Sequence, residues 1–251
     1  KEFYNITSGR IDIEDFRRKF NAEKVKIVLI NSPGNPLGNV ISGEEIKKIL
    51  EIVNGKAFVI SDEIYDGFVY DKFNSVLQTF NSNRDKVIFM NGFSKMHHMY
   101  TRRLGYAIIP QELAPYLIKF QQHNIVCVDP VTQYAGIVSL KNMNGWMKNE
   151  IEDEVKMYKE RLRNCEVLIK NTKLKLIKPE GSWYVCVDIN NYLNDKMKSS
   201  LDLAEVLIKN ADVAVAPGID FGDDGIFRIS LTSSRVVEGV NRMCSFLNTL
   251  N

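Results

Sequence analysis

Three short apolar runs set the strongest limit on how this chain can fold. They are Lys26-Ile27-Val28-Leu29-Ile30-Asn31, Ala57-Phe58-Val59-Ile60 and Val87-Ile88-Phe89-Met90. Each stops at polar or turn-forming residues: Ser32-Pro33-Gly34-Asn35-Pro36, Ser61-Asp62 and Asn91-Gly92. Short β-branched and aromatic runs bounded this way read as strands. None alternates apolar with polar, the pattern expected of strands covered on both faces. Leu104-Gly105-Tyr106-Ala107-Ile108-Ile109, ending at Pro110, reads as a fourth strand. A helix is predicted between the first two runs. Ser42 can cap it and Glu45 completes a capping box. Ile41 and Ile46 stand where a hydrophobic staple would be, and Ile46, Ile49, Leu50 and Val53 form its apolar stripe. Alternating strands and helices imply an α/β class with a largely parallel sheet.

The second half follows a different pattern. Trp146 to Asn171 is a long charged stretch with apolar positions at Ile151, Val155, Tyr158, Leu162, Cys165, Leu168 and Ile169, which predicts one long amphipathic helix. Strand-like pieces follow at Leu174–Leu176, Trp183–Val187, Val213–Val215 and Phe227–Ser230. Helices are expected around Leu201–Asn210 and from Val236. This is an α+β pattern. The expected organisation is a first domain over 1–145 and a second over 146–251, with the long helix as hinge and no internal repeat.

Length fits that division: 251 residues make one large domain or two small ones. Apolar residues at 45% and charged residues at 25% exclude disordered, collagen-like and low-complexity classes. A net charge of +2, with no long basic block, gives no argument for nucleic acid. No apolar run approaches the ~20 residues that span a bilayer. The opening Lys1-Glu2-Phe3-Tyr4-Asn5 has no apolar core of a signal peptide. Cys127, Cys165, Cys186 and Cys244 are widely spread without metal-site spacing, so they are expected to be buried free thiols in a reducing cytoplasm.

Placing polar residues on this map brings out a chemical constellation. Asn35 lies beyond the first strand, Asp62 at the end of the second and Lys95 beyond the third. Ligands of open α/β sheets sit outside the carboxyl ends of the parallel strands, so an amide, a carboxylate and an amine would share one rim. Each also has a plainer use: Asn-Pro makes turns, Asp62-Glu63 can cap a helix, and a lone lysine is ordinarily a solvated charge.

Asn31-Ser32-Pro33-Gly34-Asn35-Pro36-Leu37-Gly38, Ser61-Asp62-Glu63-Ile64-Tyr65, Ser94-Lys95 followed by Arg103-Leu104-Gly105-Tyr106, and Phe227-Arg228-Ile229-Ser230 resemble the signatures of class I/II aminotransferases. Pro179-Glu180-Gly181-Ser182-Trp183-Tyr184 and Val215-Ala216-Pro217-Gly218 resemble that family's small-domain landmarks, so the likeness runs along essentially the whole chain. It implies fold type I: residues 1–145 as the C-terminal part of a large domain binding pyridoxal 5′-phosphate (PLP), and 146–251 as the small domain. It implies a homodimeric enzyme that moves an amino group between an α-amino acid and a 2-oxo acid.

The resemblance also implies roles. Lys95 would hold PLP as an imine and then serve as the base that moves the proton from the substrate Cα. Asp62 would keep the pyridine nitrogen protonated, making the ring an electron sink. Asn35 and Tyr65 would hydrogen-bond the ring's 3′-oxygen. Arg103, with Ser94, would hold the phosphate, and Arg228 would clamp the substrate carboxylate through its planar fork. Departures exist: Thr101-Arg102 stand where Gly-Trp is common, and His97 and His98 stand where small or apolar residues are usual, with packing or partner contact as their expected role. No arginine occurs between Arg103 and Arg161, and the loop read over Phe120–Gln133 offers Asp129 and His123. A neutral or cationic substrate side chain is therefore expected over aspartate or glutamate, unless Asp129-Pro130 only makes a turn. The family's first strands, glycine-containing phosphate loop and stacking aromatic have no counterpart ahead of Lys1, so the chain is expected to be an incomplete record, a fragment or a split product. Alternatives are a PLP-dependent β-elimination lyase, the aminotransferase-like sensing domain of a transcription regulator, and a degenerate remnant, against which the retention of Lys95, Asp62, Tyr65 and Arg228 argues.

Overall fold

The computed structural model describes residues 4–5, 9–21, 23–79 and 86–250. Lys1, Glu2 and Phe3 of the opening segment lie outside them. Two compact units emerge. The first contains 11–33 and 40–153; the second contains 5–10, 34–39 and 154–251. Two-residue strands β1 (Tyr4–Asn5) and β2 (Arg10–Ile11) precede the main elements.

In the first unit, helix α1 (Ile13–Lys19) leads into β3 (Ile27–Asn31), α2 (Gly43–Val53), β4 (Phe58–Asp62), the short α3 (Val76–Thr79), β5 (Val87–Gly92) and β6 (Gly105–Ile108). The sheet order is β3-β4-β5-β6. β3, β4 and β5 run parallel, with Asn31 opposite Asp62 and Asp62 opposite Met90. β6 is antiparallel to β5, pairing Gly92 with Gly105, so the sheet is mixed. The reason lies in the connection: Phe93–Leu104 contains turns and no crossover helix, and a parallel return ordinarily needs one. Helix α2 forms as its sequence predicts. Ser42 Oγ accepts from Glu45 N, and the Glu45 carboxylate accepts from Ser42 N at 2.8 Å. Ile46, Ile49 and Val53 bury their stripe with Phe16, Val28, Ile30 and Val59 in one core.

Coverage of both sheet faces does not hold. Val28 and Ile30 are buried, whereas Ile27 and Leu29 are 57% and 67% exposed. Helices α1 and α2 pack one face, and no described residue buries the other around these two side chains. Helices α4 (Ala114–Asn124), α5 (Pro130–Lys141) and the start of α6 (Trp146–Ile169) complete the unit. The stretch read as a loop over Phe120–Gln133 is mostly helical. α4 runs through His123 and Asn124, and Asp129 caps α5 by accepting from Thr132 N and Thr132 Oγ1, leaving only 125–129 between helices.

The second unit takes α6 from Glu154 onward, then β7 (Lys175–Ile177), β8 (Tyr184–Asp188), α7 (Ser200–Ala211), β9 (Ala216–Pro217), β10 (Ile226–Ser230) and α8 (Val236–Leu247). Its sheet is antiparallel, in the order β7-β8-β10-β9. α6 buries Tyr158, Leu162, Cys165 and Ile169. Val213–Val215 is not a strand; the ladder to β10 begins only at Ala216. The Gly34–Asn39 segment packs here through Gly38, whose carbonyl accepts from Glu180 N and Gly181 N, both at 2.8 Å. Gly38 has φ +67°, and a Cβ there would stand 2.6 Å from Pro179 Cβ. The close approach and the left-handed backbone together require glycine. All four cysteines are free; three are buried, but Cys127 is exposed because it lies in the short α4–α5 connection.

Candidate active site

Parallel pairing brings the carboxyl ends of β3, β4 and β5 to one rim of the first unit. Asp62 ends β4, and its backbone carbonyl accepts from Ser32 N (3.1 Å) and Asn31 Nδ2 (3.0 Å). Its carboxylate accepts from Ile64 N at 3.2 Å. Burial raises the Asp62 pKa; the bond from Ile64 and the charge of Lys95 oppose that rise. Lys95 lies in the turn after β5, its Nζ 5.4 Å from the centroid of the buried Tyr65 ring. Arg103 donates through Nη1 to Tyr100 O at 2.7 Å, with Ser94 Oγ at 3.5 Å from the same nitrogen. Thus Asp62, Tyr65, Ser94, Lys95 and Arg103 all belong to one unit, and the hydroxyl and guanidinium expected to hold a phosphate are neighbours.

Asn35 and Arg228 belong together in the second unit. Arg228 Nη1 donates to Asn35 Oδ1 at 2.9 Å. The guanidinium carbon stands 4.5 Å from the Tyr184 ring centroid and 4.6 Å from that of Phe221. Tyr184 lies across the β8–β10 ladder, one side-chain step along from the residue paired with Arg228, so the two share a sheet face. Sequence reading missed Phe221, whose approach is set by the 3₁₀ turn Gly218–Phe221; no sequence spacing encodes it. Contact with two aromatic rings holds the planar fork without consuming its hydrogen-bond donors.

Two carboxylates, buried Glu63 and half-buried Asp66, were also missed. Glu63 is 1% exposed; its Oε1 accepts from Ser61 Oγ and Val76 N, while Oε2 has no partner. Asp66 Oδ2 accepts from Asn91 Nδ2 at 2.9 Å, while Oδ1 is buried and unpartnered. Three carboxylates within Asp62–Asp66, amid apolar neighbours, were the available signal. Burial, aided by the Glu63 charge, pushes the Asp66 pKa up to about 6. The native state therefore binds this proton more tightly than the unfolded chain. The stabilisation is complete below the unfolded value of 3.8 and is lost as pH rises through about 6. Asp66→Asn should then raise unfolding free energy at pH 7.5, by on the order of 2–3 kcal/mol at most. It should also flatten the stability profile between pH 4 and 6, as urea unfolding of the complete protein at several pH values would show. An unchanged profile would rule out a titrating Asp66.

The donor set suits PLP: an acidic group on the same rim as a lysine, a phenol beside that amine, and a hydroxyl–guanidinium pair able to receive a dianion. A plan of this kind, an α/β unit with a lysine-bearing rim followed by an antiparallel α+β unit, defines fold type I of the PLP-dependent transferases. The chain belongs to the class I and II aminotransferase family, whose pattern it matches over residues 2–247. It is 35% identical over 241 residues to a probable aspartate/prephenate aminotransferase of Aquifex aeolicus, covering 93% of this chain and 60% of that protein. It is 34% identical to an aspartate aminotransferase of Thermotoga maritima, covering 90% of this chain and 57% of that protein. The crystal structure of an aromatic aminotransferase from Pyrococcus horikoshii superposes with a TM-score of 0.88 at 28% identity, covering 99% of this chain and 67% of that one. The chain spans about 60% of the length of the curated relatives it matches.

Proposed function

We propose that the complete protein is a PLP-dependent aminotransferase acting between an α-amino acid and a 2-oxo acid. One observation carries the reading: Asp62 ends β4 on the rim where Lys95 follows β5, with Lys95 Nζ 5.4 Å from the Tyr65 ring centroid and the Ser94–Arg103 pair in the same connection. Asp62, Tyr65, Asn35, Ser94, Lys95 and Arg103 would hold the cofactor, which when bound supplies an electron sink for the pair left at the substrate Cα. The Asp62 carboxylate would keep a proton on the pyridine nitrogen. Ser94 and Arg103 would donate to phosphate oxygens. Lys95 Nζ would take the proton from the substrate Cα. Arg228 would fix the substrate carboxylate bidentately, aligned by Asn35, Tyr184 and Phe221.

Residues 1–145 are read as part of the large domain and 146–251 as the small domain; the compact units divide eight residues later, inside α6 between 153 and 154, with 5–10 and 34–39 grouped with the second. A homodimer belongs to this reading, supported by exposed apolar side chains on α4 and α5 such as Tyr116, Phe120, Val131 and Tyr134. A cytoplasmic location is supported by the four free thiols. No helix of the described residues is long and apolar enough to cross a membrane. Asp129 is occupied as a helix cap and no longer argues for a cationic substrate. Relatives named for aspartate and for aromatic amino acids make both side-chain types candidates.

The test is product analysis with a panel of amino donors against 2-oxoglutarate and pyruvate. A new amino acid and a new oxo acid in equal amounts support transamination. Ammonia with pyruvate from the donor would replace it with elimination. Arg228→Lys keeps the charge but loses the fork and its aromatic stack. With charged hydrogen bonds contributing about 1.5–3 kcal/mol each, KM should rise roughly 10–100-fold for every donor, with a smaller change in kcat. A selective loss for one donor would instead make Arg228 a side-chain reader.

A further inference from the structure

We propose that His97 is a positioning residue that fixes the Lys95 turn against α5 through Ser139; this rests on the assignment of Lys95 as the cofactor-binding lysine. The turn after β5 is closed on itself by Met99 N to Phe93 O (2.9 Å), His98 N to Lys95 O (3.0 Å) and Phe93 N to Leu104 O (3.0 Å). Those bonds shape the turn but do not tie it to a helix. His97 does. It is 7% exposed, and its Nδ1 lies 2.7 Å from Ser139 Oγ, itself buried on α5.

The docking is built from both sides. The His97 ring packs at a tilt of 37° against Phe93, with centroids 4.6 Å apart. Gly136, three residues before Ser139 and so on the same helix face, meets Phe93 and Leu104: a Cβ there would stand 3.2 Å from Phe93 Cε1 and 2.6 Å from Leu104 Cδ2. A missing side chain at Gly136 lets α5 approach, and the His97–Ser139 bond sets its register on the turn. Only Met96 separates His97 from Lys95, so this bond governs where the lysine backbone sits and how its amine is presented beside Tyr65. Burial and the neighbouring His98 lower the His97 pKa, which suits a neutral ring sharing one hydrogen bond with a hydroxyl. An ordinary core aromatic would pack against Phe93 equally well but could not bond Ser139.

The test uses the complete protein with Ser139→Ala, which removes one oxygen, and His97→Phe, which keeps the ring packing and loses the bond. PLP is added, and two quantities are followed: the rate of borohydride-trappable attachment to Lys95, mapped by mass spectrometry, and the pH midpoint of the absorbance of the attached cofactor. Each variant should slow attachment about three- to tenfold and move the midpoint by roughly half a unit or more, the range of one neutral hydrogen bond. The double variant should be no worse than the more affected single one, because both changes remove the same bond. Unaltered rate and midpoint in both variants, whatever their thermal stability, would overturn the positioning role, as would additive effects. A parent protein that labels elsewhere than Lys95 overturns the cofactor assignment itself, a separable result.

Discussion

Lys95→Ala in the complete protein should lower kcat by about 10⁴-fold or more, the largest single loss of any substitution in the chain. The amine has two jobs, to hold the cofactor covalently and to carry the Cα proton. A positioned proton-transfer group alone contributes roughly 10²–10⁴-fold. Loss of covalent attachment adds to that, and the two effects act as a unit. The fold should survive, because Lys95 is not part of the buried core. Single-turnover measurement with saturating amino acid and added PLP checks the rate, and thermal unfolding checks the fold. Partial recovery by an added small primary amine would mark the loss as that of a base. A kcat within tenfold of the parent would remove Lys95 from the chemistry and with it the proposed function.

The second large effect is at Asp62. Asp62→Ala should reduce single-turnover rate by about 10²–10³-fold while leaving cofactor attachment to Lys95 detectable. A carboxylate aimed at developing charge in a water-poor site is worth that much when removed. Asp62 is placed for this role because the bond from Ile64 N fixes the carboxylate on the rim, and that bond together with the Lys95 charge favours the ionised form against the rise that burial gives its pKa. Asp62→Asn keeps shape and loses charge, so it should fall nearly as far as alanine. An asparagine variant close to the parent would mean that Asp62 only orders the loop.

The three parallel strands were legible because their sequence is redundant: β-branched runs, turn residues and one capped helix each state the same answer. Asp62 and Lys95 could be placed from that alone, since strand ends fix where following residues emerge. What escaped depends on neighbours far away in sequence. The 57% exposure of Ile27 could not be read from a run that looks uniformly apolar, because coverage is decided by other elements. The direction of β6 depends on the Phe93–Leu104 connection being all turn. Phe221 reaches Arg228 only through the short 3₁₀ turn after Pro217, far along the chain from the Pro179–Tyr184 motif that supplies the other ring. Asp129, read as a specificity element, is spent on Thr132 N, a local bond that Asp-Pro-x-Thr spacing does encode.

The thiols give the protein an uneven response to oxidants. Burial pushes Cys165 and Cys244 up to about 11 and Cys186 up to about 12. At neutral pH those three expose on the order of one thiolate in 10⁴ molecules or fewer, and the thiolate is the reactive form. Cys127 alone is exposed, on the short segment between α4 and α5. Thiol-directed reagents therefore meet the folded chain at a single cysteine on a connection, not in its core. One accessible thiol in the folded state against four in the unfolded chain is a built-in tally of how often the structure opens.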